Sequence, residues 1–168
     1  MVRVEENGKP TGISQASRPP LGMFPAKVDD KGRMKLPTVF QQHFNNADDG
    51  KLFITSLDGR IGRIYSISAW RDNEALFEQY REDPDALQNL LFNAQDLGAE
   101  AKIDDQGRVT LNTELRKELK LTAGQELHLY AYKNCVEFLT DELYQERRRR
   151  ARPNAEANVR KLESAGMK

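Results

Sequence analysis

The chain has 168 residues, 31% of them charged and 38% apolar, with one cysteine and 26 basic against 26 acidic side chains. No run approaches the ~18 consecutive apolar residues of a membrane span, and no apolar stretch near the N-terminus resembles a secretory signal, so the composition is that of one compact soluble domain or two small ones. Cys135 has no partner cysteine, which excludes an internal disulfide and fits a reducing cytoplasm, while zero net charge argues weakly against nucleic-acid binding, whose footprint is usually basic.

Residues 1–22 are polar and broken by Gly8, Pro10, Gly12, Pro19 and Pro20, which predicts a disordered leader. Phe24 to Val28 reads as a short strand. Asp29-Asp30-Lys31-Gly32 is a tight connection in which Gly32 is free to take a positive φ. Arg33 to Leu36 alternates polar and apolar as a second strand, and Pro37 suits the first turn of a helix with Val39, Phe40, His43 and Phe44 on one face. Lys51 to Leu57 and Arg63 to Ile67 read as a hairpin around Asp58-Gly59-Arg60. Two helices follow. Ser68 is a candidate cap for the first, which carries Trp70, Leu76, Phe77 and Tyr80. Asp83-Pro84 starts the second, with Leu87, Leu90, Leu91 and Ala94 on its apolar face.

The order then repeats. Ala101 to Ile103 and Arg108 to Leu111 flank Asp104-Asp105-Gln106-Gly107. Asn112 is a candidate cap for a short helix carrying Leu115 and Leu119. Glu126 to Tyr132 and Val136 to Leu139 form a hairpin around Lys133-Asn134. Asp141 to Arg152 is a helix that Pro153 ends, leaving 154–168 as a frayed tail. Residues 26–38 and 101–113 match at an offset of 75 with eight of thirteen positions identical. One β-β-α-β-β unit is therefore built twice. Units of this size bury little apolar surface and expose strand edges, so the expected fold is α+β with the two units interleaved around a shared core, each followed by helices. The expected divisions are a leader 1–22, a first unit with its helix pair 23–97, a second unit with its helix 98–152, and a flexible tail 153–168.

Both turns read Asp-Asp-x-Gly-Arg. Asp29 and Asp104 are suited to accept amide groups of their own turns, with Gly32 and Gly107 completing the bend. Arg33 and Arg108 either pair with a carboxylate or offer two matching forks to guanine or phosphate, as two-stranded ribbons do in nucleic-acid grooves. Lys27, Lys31, Lys35 and Lys102 flank the turns, either as solvated residues or as phosphate contacts. Charge is segregated elsewhere. Residues 71–100 hold two arginines against eight acids, and Arg147 to Arg150 with Arg152 place five arginines within six positions. That run suits a helix C-terminus, an acidic neighbouring subunit, or a DNA backbone. His43 and His128 lack companions at metal-ligand spacing, and no nucleophile motif or phosphate loop is present, so no metal, cofactor, small-molecule substrate or catalytic residue is expected.

Val28-Asp29-Asp30-Lys31-Gly32-Arg33-Met34-Lys35-Leu36-Pro37 and its partner Ile103 to Leu111 resemble the MraZ family of bacterial regulators over roughly residues 23–146. Leu115-Arg116 and the pair Tyr65 and Trp70 match further family positions. Asn112 stands where that family usually has proline, and Val136 to Leu139 lacks a tryptophan. The resemblance implies tandem swapped-hairpin units of the AbrB/SpoVT type forming a barrel. It also implies a cytoplasmic, nucleoid-associated regulator that binds double-stranded DNA at the promoter of the division and cell-wall operon. It further implies ring-shaped homo-oligomers, with Arg33 and Arg108 touching DNA repeats. The competing expectation is a ring-forming scaffold or interaction module with no DNA role.

Overall fold

A computed structural model describes residues 18–168. Most of the predicted leader, residues 1–17, lies outside the described residues, and within its remainder Pro19 is buried. The protein is α+β, with eight strands and six helices among the described residues. The first unit comprises β1 (Met23–Lys27), β2 (Arg33–Lys35), α1 (Thr38–Asp48), β3 (Lys51–Ser56) and β4 (Gly62–Ser66). Helices α2 (Ile67–Gln79) and α3 (Pro84–Leu97) follow. The second unit comprises β5 (Ala99–Lys102), β6 (Arg108–Thr110), α4 (Thr113–Glu118), β7 (Glu126–Tyr132) and β8 (Cys135–Thr140). Helices α5 (Asp141–Ala151) and α6 (Ala155–Ser164) close the chain.

The units exchange strands. One sheet has the order β1-β7-β8-β4-β3-β5, and β2 and β6 form a separate two-stranded ribbon. The first strand of each unit pairs antiparallel with the third strand of the other, in equivalent register: Lys27 faces Glu126 as Lys102 faces Lys51. A pseudo-twofold axis therefore runs between Met34 and Val109 in the ribbon, and between Arg63 and Glu137 in the sheet, where β4 pairs with β8. One apolar core serves both units: Val28, Met34, Leu36, Phe40 and Phe44 from the first pack with Val109, Leu111, Leu115, Leu127 and Phe138 from the second. A smaller core lies under α2, where the Trp70 ring sits 4.8 Å from Phe53, 5.1 Å from Tyr65 and 5.9 Å from Phe77.

Local chemistry explains three departures from expectation. Ser66, not Ser68, caps α2: its hydroxyl accepts from the Ala69 amide at 3.2 Å, while Ser68 donates its amide and hydroxyl to Asp48. Asn112 makes no side-chain cap on α4. Its amide donates instead to the carbonyls of Leu97 and Gly98 at 3.4 and 3.3 Å, tying α4 to the end of α3. The predicted frayed tail contains α6, every residue of which is exposed. Asn154 adopts a left-handed conformation with φ of 63°, turning the chain after Pro153 so that a new helix starts.

The axis carries an ion pair. Glu137, 4% exposed, meets Arg63 at 3.2 Å and accepts the Tyr130 hydroxyl, while Arg63 donates to the Tyr65 hydroxyl at 3.1 Å. Breaking one partner of a buried pair strands the other, which typically costs ~3 kcal/mol or more. Glu137→Ala is expected to lower stability on that scale in urea unfolding. Arg63→Glu is expected to cost more, and the exchange Arg63→Glu/Glu137→Arg to recover part of the loss.

Candidate nucleic-acid interface

The two signature turns are superimposable in their bonding. Asp29 Oδ1 accepts the Lys31 and Arg33 amides at 2.9 and 2.8 Å, and its Oδ2 accepts Arg33 Nε at 2.8 Å. Asp104 Oδ1 accepts the Gln106 and Arg108 amides at 2.9 and 2.8 Å, and its Oδ2 accepts Arg108 Nε at 2.9 Å. Backbone bonds from Asp29 N to Arg33 O and from Asp104 N to Arg108 O close each bend. Gly32 and Gly107 sit at φ of 74° and 78°, which explains the glycine at each turn. Each aspartate thus does both jobs considered for it, ordering its turn and pairing with its arginine. The pairing uses only Nε. Among the described residues, the terminal nitrogens of Arg33 and Arg108 have no hydrogen-bond acceptor.

The ribbon brings both arginines to one side. Strand alternation turns Met34 and Val109 into the core, at 0% and 1% exposure, and leaves Arg33, Lys35, Arg108 and Thr110 on the outward face. Arg33 lies opposite Thr110 and Lys35 opposite Arg108, so the two guanidinium groups stand at diagonal positions across the ribbon. Their side chains are 26% and 25% exposed, held by their aspartates yet open to solvent. Lys31 is exposed at the tip of the first turn. Lys27 and Lys102 are exposed as well, but they end β1 and β5 in the larger sheet, outside the ribbon, with Lys27 facing Glu126.

Each ribbon end is braced from the other unit. Leu36 donates its amide to the Gly107 carbonyl, and Leu111 to the Gly32 carbonyl, both at 2.9 Å. The Gln41 side chain donates to the Leu36 carbonyl at 2.6 Å and covers Gly107, while Arg116 donates Nε to the Leu111 carbonyl at 3.2 Å and covers Gly32. A Cβ on Gly32 would come within 2.5 Å of the Arg116 guanidinium carbon, and one on Gly107 within 2.4 Å of the Gln41 amide. The Leu115-Arg116 pair is visible in the sequence, and the offset of 75 aligns Gln41 with Arg116, but neither locates the opposite turn that Arg116 covers.

The remaining candidates lie elsewhere. Cys135 is buried, and burial pushes its thiol up to about 12. His43 is held below its usual pKa by burial. His128 contacts Asp141 at 2.9 Å and stacks on Tyr144, seating α5 on β7. The arginines of α5 are exposed, and Arg147 and Arg148 line a groove with Met23 and Tyr132, at the end of the sheet remote from the signature turns. Among the described residues no group of three or more His, Cys, Asp or Glu side chains is placed to hold a metal, and no helix is long and apolar enough to cross a membrane.

Two guanidinium groups on one face of a β-ribbon, in a chain built from a doubled unit, define a class of tandem-repeat α+β proteins with a cationic ribbon. The chain matches no family model. It is 29% identical over 125 residues to the transcriptional regulator MraZ of Acidobacterium capsulatum, covering 74% of this chain and 84% of that protein. It is 31% identical over 101 residues to the MraZ regulator of Koribacter versatilis, covering 60% and 69%, and 31% identical over 96 residues to that of Bordetella pertussis, covering 56% and 65%. The chain belongs to the MraZ family of transcriptional regulators.

The aspartates give a pH test. Hydrogen bonds from the Arg33 and Arg108 amides hold Asp29 and Asp104 below their usual 3.8, against a smaller opposing effect of burial. A depressed folded pKa contributes order that is fully present above 3.8 and is lost as pH falls through the folded value. Carboxyl NMR titration is expected to give both residues midpoints under 3.8. Hydrogen exchange at the Lys31, Arg33, Gln106 and Arg108 amides is expected to quicken in Asp29→Ala and Asp104→Ala, each at its own turn only.

Proposed function

We propose that this protein is a DNA-binding transcriptional regulator whose two Asp-x-x-x-Arg turns contact repeated promoter sites, those of the division and cell-wall operon. The observation that carries this reading is the ribbon's outward face, where Arg33, Lys35 and Arg108 stand together with the terminal nitrogens of both arginines unengaged among the described residues. Antiparallel ribbons fit a DNA groove, and an arginine fork matches guanine or phosphate. The aspartates hold the forks in place before DNA arrives, which reduces the ordering cost of binding. Lys31, Lys27 and Lys102 serve as phosphate contacts that set register. The exchange of strands between the units supports a swapped-hairpin arrangement of the AbrB-like kind, with 23–97 and 98–152 as interdependent parts of one body.

The working form is a homo-oligomeric ring. Support comes from surface left uncovered in a single chain: Leu76 on α2 and Phe92 on α3 are 65% and 67% exposed within the acidic stretch, while α5 carries the exposed arginine run. Opposite charges on two different faces favour head-to-tail contact between copies, the kind that closes rings. Repeated weak contacts then add through effective concentration, so zero net charge is compatible with tight binding. A scaffold without DNA binding uses the same faces and leaves the ribbon idle.

Fluorescence anisotropy with a duplex from the protein's own upstream region separates these readings. Arg33→Ala and Arg108→Ala are each expected to weaken binding by roughly 5- to 100-fold, the range for loss of one bidentate contact. Wild-type affinity is expected to fall steeply with salt. Equal affinity of both variants and wild type removes the arginines from the mechanism, and no binding at low salt supports the scaffold. In light scattering, reversing charge at Arg147 to Arg150 is expected to shrink the assembly if the ring closes through α5.

A further inference from the structure

The two ends of the ribbon share a backbone but not a charge. Three pairs of positions, each related by the offset of 75, differ: Lys31 against Gln106, Lys35 against Thr110, and Gln41 against Arg116. Because the units interleave, the third pair changes ends. Arg116, on α4 of the second unit, lies over Gly32 of the first turn, one residue from both Lys31 and Arg33. Gln41, on α1 of the first unit, lies over Gly107 of the second turn. Arg116 is anchored by Nε on the Leu111 carbonyl and by Nη2 on the Thr113 hydroxyl at 3.2 Å each. Its Nη1 has no acceptor among the described residues, and the residue is only partly buried. The first turn therefore gathers Lys31, Arg33 and Arg116, whereas the second has Arg108 with Lys35 beside it and neutral Gln106 and Gln41.

We propose that Arg116 is a further DNA-contacting residue that acts at the first turn alone, so that the two ends of the ribbon grip the duplex unequally. This rests on the ribbon being the DNA-binding face. A symmetric ribbon would engage both flanks of a site alike. An extra guanidinium at one end adds phosphate engagement on that flank, which the other flank lacks. The anchored Nε leaves the outer edge of the guanidinium to meet phosphate, so the contact adds affinity and salt dependence more than base preference.

The molecule supplies its own control, since glutamine already occupies the equivalent position and bonds the equivalent carbonyl. Arg116→Gln should therefore fold with little change in melting temperature. With the upstream duplex in fluorescence anisotropy, Arg116→Gln is expected to weaken binding about 5- to 10-fold at low salt and to reduce the slope of log affinity on log salt by roughly one phosphate contact per bound unit. Gln41→Arg is expected to steepen that slope by a similar amount. In hydroxyl-radical footprints, the exchange Gln41→Arg/Arg116→Gln is expected to move the stronger protection to the other flank of each repeat. Arg116→Lys, which keeps the charge and loses the anchored geometry, is expected to keep most of the salt slope. If Arg33→Ala and Arg108→Ala lose binding while Arg116→Gln and Gln41→Arg match wild type in affinity, slope and footprint, the proposal is overturned and the ribbon reading stands. If Arg33→Ala and Arg108→Ala bind as wild type does, both fall together.

Discussion

Everything in this molecule depends on the exchange of strands across one pseudo-twofold axis. Each unit's first strand finds its hydrogen-bond partner in the other unit, so neither half can satisfy its own backbone alone. The second strands pair with each other, and the fourth strands pair at the centre of the sheet. A unit of some 50 to 75 residues buries little apolar surface and is marginal by itself. Interleaving merges two inadequate cores into one in which Phe40, Phe44, Leu115 and Phe138 are all essentially inaccessible to solvent.

The same exchange presents the arginines. Turns separated by 75 residues in sequence become the two ends of a three-residue ribbon, and their spacing is set by a register that cannot slip without turning Met34 and Val109 out of the core. Each aspartate accepts three hydrogen bonds within its turn, two of them from its arginine, and the cover from Gln41 and Arg116 ties each bend to the opposite unit. Electrostatics at this face is consequently local. The balance of the whole chain says little about it, because the acids of residues 71–100 lie mainly on α2, α3 and the link between them, while Asp29 and Asp104 are engaged by their own arginines and the exposed Asp30 and Asp105 place one further carboxylate at each turn alike.

Short-range chemistry was legible in the sequence, and long-range partners were not. Asp83-Pro84 opened α3 as its cap chemistry required, with Asp83 accepting from the Ala86 amide at 3.0 Å. The positive φ at Gly32 and Gly107 followed from the turn pattern. The choice between Ser66 and Ser68 could not be made locally, because the competing acceptor, Asp48, comes from α1. Asn112 looked like a cap until the end of α3 offered it two carbonyls. Arg116 belongs to the same class: nothing near it in sequence reveals that it covers Gly32, more than eighty residues earlier. Helix α6 was missed because Pro153 is a reliable stop only for the helix before it, and Asn154 supplied the turn that lets another begin.

The places where the two units differ show why they sit in one chain. Equivalent core positions keep apolar character but not size: Met34 against Val109, Phe40 against Leu115 and Phe44 against Leu119 put the larger side chain in the first unit, while Val28 against Ile103 and Ile64 against Phe138 put it in the second. A pairing of like units would double each of these differences, overfilling some places in the shared core and leaving others loose. The axis adds an electrostatic condition. Arg63 and Glu137 occupy the self-facing position, so a pairing of like units would set arginine against arginine or glutamate against glutamate where water is scarce. Only the unlike pairing satisfies both size and charge, and covalent linkage supplies it at high effective concentration. Once the unlike pairing is guaranteed, outward residues at the two ribbon ends are free to diverge, and the charges of Lys31, Lys35 and Arg116 against Gln106, Thr110 and Gln41 are the result.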